Sequence, residues 1–128
     1  MRVRKLGVAT ALAIAIAGCA SGPSTRNLDA GDDGRTVELK VGDELRVKLA
    51  ANRSTGYRWM LTQGPGKVLF KQGDPMYARA VDAPVGAGGI ETWSFRAVEA
   101  GEQPLVFEYR RPSDKSSDKS VSYKVIVR

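Results

Sequence analysis

Thr36-Val37-Glu38-Leu39-Lys40-Val41-Gly42-Asp43-Glu44-Leu45-Arg46-Val47-Lys48-Leu49 is the stretch that decides the fold. Val37, Leu39 and Val41 alternate with Glu38 and Lys40, and beyond the turn signal Gly42-Asp43 the residues Leu45, Val47 and Leu49 alternate with Arg46 and Lys48. A period of two places every apolar side chain on one face, so both halves read as half-buried strands joined by a turn. The same rhythm continues downstream. Tyr57, Trp59 and Leu61 share one face of a third strand, Val68-Leu69-Phe70 is a brief run between turns, and residues 76 to 81 allow another strand. Trp93, Phe95 and Ala97, then Leu105, Phe107 and Tyr109, then Val121, Tyr123, Val125 and Val127 complete the series. No segment has a helical period. Seven or eight short strands separated by turn chemistry predict an all-β, immunoglobulin-like sandwich with Trp59 inward, a small closed barrel being the competing architecture.

The N-terminus has a different character. Arg2, Arg4 and Lys5 precede an apolar run over residues 6 to 17, and small residues lead to Cys19. This is the pattern of an export signal over residues 1 to 18, with an apolar core shorter than the roughly 20 residues of a membrane span. Ile16-Ala17-Gly18-Cys19 resembles the lipobox of bacterial lipoproteins. That resemblance implies that Cys19 is acylated and becomes the new N-terminus. Ala20 in the following position implies sorting to the outer membrane, facing the periplasm. Residues 19 to 34 are rich in Gly, Ser, Asp and Ala and include Pro23. Such a composition predicts a flexible tether, leaving residues 35 to 128 as the folded domain.

Composition then removes whole classes of chemistry. The chain of 128 residues has one cysteine and no histidine, which excludes Ser-His-Asp and Cys-His catalysis, an internal disulfide and most transition-metal sites. Asp32-Asp33 and the pair Asp114 and Asp118 read as solvated loop charges instead of catalytic acids. Removing residues 1 to 18 deletes three basic and no acidic residues, which lowers the net charge from +6 to +3. The remaining cations are dispersed, so neither nucleic acid nor a cofactor is implied. The sequence describes a monomeric binding domain and not an enzyme.

Three loops carry the binding chemistry. Asn52-Arg53-Ser54-Thr55-Gly56-Tyr57 sets short hydroxylated side chains and a permissive glycine before an aromatic strand. Gly86-Ala87-Gly88-Gly89 permits close backbone approach, and Arg110-Arg111-Pro112 adds charge and a stiffened turn. In a sandwich these loops can emerge at one end as a composite surface.

Their order and spacing resemble the chagasin family, inhibitors of papain-like cysteine peptidases, over about residues 36 to 128. The family carries N-P-T-T-G-[FY], G-x-G-G and R-P-[WF] in successive loops. Asn52, Thr55, Gly56 and Tyr57 match the first motif, Gly86, Gly88 and Gly89 the second, and Arg111 and Pro112 the third. The resemblance implies an immunoglobulin-like sandwich whose three loops form a wedge in the active-site cleft. Ser54, Thr55 and Gly56 would then sit near the catalytic cysteine, with Gly88 and Gly89 in close backbone contact and Arg111 and Pro112 at the flank. Arg53 stands in place of the family's proline, Ser54 in place of a threonine, and Ser113 in place of an aromatic residue. Losing the proline and the aromatic residue implies a looser first loop and weaker inhibition, by roughly a hundredfold. The alternative is a non-inhibitory envelope module that binds a protein or a cell-wall polymer.

Overall fold

In the computed structural model, which describes residues 22 to 128, the alternating runs form nine strands in two facing sheets. They are β1 (Thr25–Leu28), β2 (Thr36–Leu39), β3 (Glu44–Ala51), β4 (Arg58–Gln63), β5 (Leu69–Lys71), β6 (Met76–Arg79), β7 (Gly89–Ala97), β8 (Gly101–Arg110) and β9 (Lys119–Val127). One sheet runs β1-β3-β7, with β5 and β6 paired in turn along the far edge of β7. The other runs β2-β9-β8-β4. This is the immunoglobulin-like sandwich, with nine strands where seven or eight were expected.

Period-two patterning builds the core directly. Leu45, Val47 and Leu49 of β3 and Phe95 of β7 are fully buried from one sheet, and Leu105, Phe107 and Val125 from the other. Phe107 locks the layers together, meeting Trp93, Phe95 and Tyr123 edge-on with ring centroids 5.2, 6.4 and 6.3 Å away. Such contacts add about 1 kcal/mol each beyond area burial, doing here by packing what a disulfide does in antibody domains. Val41 departs from the expected inward set. β2 ends at Leu39, and Val41 lies 54% exposed in the turn closed by Gly42 at φ +100°.

The tether expected over residues 19 to 34 is the larger correction. Residues 1 to 21, including Cys19, lie outside the described residues, but Thr25–Leu28 is a strand running parallel to Glu44–Val47. Leu28 is buried, and Asp43 clips the incoming chain by accepting the backbone N–H of Ser24 at 3.0 Å and that of Lys40 at 2.8 Å. Asp29 caps the following turn by accepting the Gly31 N–H at 2.8 Å, and Asp32 closes the capping box by accepting the Asp29 N–H at 3.0 Å, while Asp33 accepts the Ser122 N–H at 2.7 Å and so fastens the segment to β9. Tyr123 donates to the Asp29 carbonyl at 2.6 Å; burial, then the nearby Asp32, Asp29 and Asp33 carboxylates, pushes its phenol well above the ordinary range. Residues from Ser24 onward are therefore part of the folded domain, and Asp32 and Asp33 are structural.

Candidate functional site: three fastened loops at one end

Strand register brings the three loops together. Ala51 at the end of β3 pairs with Gly89 at the start of β7, and Arg58 at the start of β4 pairs with Arg110 at the end of β8. The segments 52–57, 80–88 and 111–118 thus leave the sandwich at the same end.

The first loop is a single 3-10 turn, Arg53–Thr55, capped at both ends. The Asn52 side-chain oxygen accepts the Ser54 N–H at 3.1 Å and the Ser54 hydroxyl at 2.6 Å, while Thr55 Oγ1 donates to the Asn52 carbonyl at 2.7 Å. Gly56 ends the turn at φ +83°, a left-handed conformation that side chains resist. Ser54, Thr55 and Gly56 remain exposed at the apex. Asn52 is therefore a cap, and it is also a bridge. Its Nδ2 donates to the Gly86 carbonyl at 2.9 Å, tying the first loop to the second.

The glycines of the second loop have internal reasons to lack side chains. A Cβ on Gly88 would lie 2.8 Å from the Ala51 carbonyl, and one on Gly89 would collide with the Ala78 carbonyl. Their close approach is to β3 and β6. The third loop is a turn over Pro112 and Ser113, closed by the Asp114 N–H donating to the Arg111 carbonyl at 2.9 Å. Arg110 donates to the Asp114 carbonyl, also at 2.9 Å, and the Asp114 carboxylate accepts the Arg111 N–H at 3.4 Å, so Asp114 helps to order the turn. The Arg111 guanidinium lies 4.8 Å from the Tyr57 ring centroid, which fastens the third loop to the first.

A match to the family model described as chagasin family peptidase inhibitor I42 extends over residues 38–127 of this sandwich. The chain belongs to the chagasin family. Amoebiasin-2 of Entamoeba histolytica is 23% identical over 99 residues, covering 76% of this chain and 80% of the relative. The crystal structure of the cysteine protease inhibitor EhICP2 from Entamoeba histolytica superposes with a TM-score of 0.71 at 20% identity, covering 82% of this chain and 96% of that one. PbICP-C, solved in complex with falcipain-2, gives 0.53 at 18% identity, covering 88% and 96%. Both structural likenesses are likenesses of fold.

Within this chagasin-family domain the residues matching all three motifs gather at one end, but the hub joining them was not singled out by sequence. Tyr109 stacks on Tyr57 at 5.3 Å, leans on Trp59 at 4.9 Å, and accepts the Asn52 N–H at 3.0 Å through its hydroxyl. Trp59 and Trp93 are core residues, and Tyr57 is half-buried between core and loop. Arg53 departs from the looseness implied by the missing proline. Its guanidinium packs 4.4 Å from the centroid of Tyr77 and pairs at 3.7 Å with Glu91, a buried carboxylate on β7. The signal was present in the sequence. Glu91 falls on the same parity as Trp93 and Phe95, and a charge on an inward face requires a partner. Among the described residues, no group of three or more His, Cys, Asp or Glu side chains is placed to hold a metal.

Proposed function

We propose that this domain inhibits papain-like cysteine peptidases reversibly, with the three fastened loops filling the active-site cleft. The observation that carries the reading is the exposed Ser54-Thr55-Gly56 apex, flanked on one side by Gly86 to Gly89 and on the other by Arg111 and Pro112. A relative by fold is a cysteine protease inhibitor, and another was solved bound to falcipain-2. No chemistry is asked of the inhibitor. Ser54, Thr55 and Gly56 shield the enzyme's thiolate and imidazolium, while peptide bonds folded into a capped turn stay out of the near-attack geometry that cleavage requires. Gly88 and Gly89 offer backbone, and Arg111 and Pro112 line the flank. The lipobox-like segment adds an acylated Cys19, an outer-membrane location and a periplasmic face to the same proposal.

Inhibition kinetics with the chain lacking residues 1 to 19 test this reading. Papain should be inhibited competitively, and Thr55→Arg should raise Ki by about a hundredfold. The thermal midpoint of that variant should move by no more than about 4 °C, since position 55 is exposed and only its local hydroxyl bonds are lost. No inhibition of papain or cathepsin-type enzymes at high micromolar concentration, or full inhibition by Thr55→Arg, sinks the proposal. Intact mass of the membrane fraction decides acylation separately.

A further inference from the structure

The most unusual group in the core is a carboxylate. Glu91 lies opposite Leu49 of β3 and Tyr77 of β6, on the inward register of β7, with its side chain 7% exposed. An ionised carboxylate removed from water is costly unless it is hydrogen-bonded and paired. One oxygen accepts the Trp93 Nε1–H at 2.9 Å, a bond that fixes the carboxylate plane against a core ring. The other faces the Arg53 guanidinium at 3.7 Å, both groups lining a hollow of about 180 Å³ together with Arg58, Trp59 and Pro75. Arg53 reaches inward from the 3-10 turn whose next two residues are Ser54 and Thr55. Tyr77 supports the guanidinium from the side, in cation–π contact.

We infer that Glu91 is a positioning residue for the first loop: through Arg53 it fixes the Ser54-Thr55-Gly56 apex relative to the central strand β7. The inference rests on the inhibitor reading for its effect on affinity, but the clamp itself is independent of any target. Three features favour a positioning role over mere core filling. The partner is a loop residue, not a strand neighbour. The cation is half-exposed and gains restraint from being paired, while the anion is buried and requires it. The turn's own hydrogen bonds, Thr55 N–H to Asn52 and Gly56 N–H to Arg53, set its internal shape, and Asn52 and Tyr57 anchor its two ends to Gly86, Tyr109 and Arg111, while the Arg53–Glu91 pair ties the turn itself to β7.

A double-mutant cycle on Arg53→Ala and Glu91→Gln tests it. Glutamine keeps an acceptor for Trp93 Nε1–H and removes only the charge. Each single variant should raise Ki for papain about tenfold, chiefly through faster dissociation, and the double variant should be little worse than either. Hydrogen exchange of the Thr55 and Gly56 amides should accelerate about tenfold in both single variants while β7 and β8 amides keep their protection. Arg53→Lys, which retains the charge, should recover part of both effects. Additive effects on Ki, which would mean that Arg53 touches the enzyme independently of Glu91, overturn the inference, as does unchanged exchange at Thr55 and Gly56. Should Glu91→Gln fail to fold, the exchange of Arg53→Ala and Arg53→Lys alone decides the matter. Absence of inhibition by the unmodified domain would remove the inhibitor reading, and the exchange measurement would still report the clamp.

Discussion

Tyr109 serves the loops with both parts of its side chain. The ring lies between Tyr57 and Trp59, and the hydroxyl accepts the Asn52 N–H, the donor at the point where β3 gives way to the first loop. Tyr109→Phe keeps the stacking and leaves that N–H without its partner. The expected cost is about 1 kcal/mol, seen as a fall of roughly 4 to 8 °C in thermal midpoint. Inhibition should weaken with it, because Asn52 carries both the cap on Ser54 and the bridge to Gly86. An unchanged midpoint would show that water replaces the phenol. Alternation in the sequence placed Tyr109 on the inward face with Leu105 and Phe107, and that face is correct. It said nothing of the hydroxyl, because periodicity fixes which way a side chain points and not which distant backbone atom it meets. The same holds for Glu91, whose parity marked it as inward while its partner Arg53 lies on another loop.

Among the elements, β1 shows where composition misleads. Thr25-Arg26-Asn27-Leu28 sits in a Gly-, Ser- and Asp-rich stretch and buries only Leu28, so no hydrophobic pattern marks it. It is a strand because the edge of β3 offers unpaired backbone groups and Asp43 offers a clip. The longer strands β3, β7, β8 and β9 were legible, each having four or more positions of clean alternation, whereas β1 draws its stability from its neighbour. Removing residues 22 to 34 should therefore cost about 2 to 3 kcal/mol, the value of the buried leucine, in chemical denaturation against the chain from residue 22. The clip also predicts a pH dependence. Backbone N–H groups of Lys40 and then Ser24 hold the Asp43 carboxyl below its ordinary value of 3.8, against the opposing pull of burial. A carboxyl with a depressed folded pKa stabilises fully above its unfolded value and loses that contribution as pH falls through the folded one. The advantage of the wild-type chain over Asp43→Asn should thus be constant from pH 5 to 7 and shrink below about pH 4; an advantage that persists to pH 2 would show that the charge is irrelevant to the clip.

At the scale of the whole molecule, the path of the chain orients the inhibitory end. Ser24 meets the start of β3 at Asp43 and Glu44, and the loops leave from its far end at Ala51. A strand of eight residues spans about 25 Å, so the domain is entered at one pole and its binding loops stand at the other. A flexible tether over residues 19 to 34 would let either pole face a membrane. With β1 already in the sheet, a lipid on Cys19 would be joined to the fold through the residues up to Ser24, a reach of at most about 18 Å. Were Cys19 acylated as proposed, the entry pole, with its exposed Val41 and Val98, would be held beside the bilayer and the Thr55 apex would point away from it. Acylated protein in lipid vesicles should therefore inhibit soluble papain with a Ki within about twofold of the unanchored domain, since nothing obstructs the loops. A fluorophore on Val41→Cys should be quenched by a lipid-borne quencher, and one on Thr55→Cys should not. The reverse pattern, or equal quenching at both positions, would mean that the domain lies on its side or turns freely; the loops would then meet a peptidase only when the membrane did not cover them, and the vesicle-bound Ki would rise accordingly.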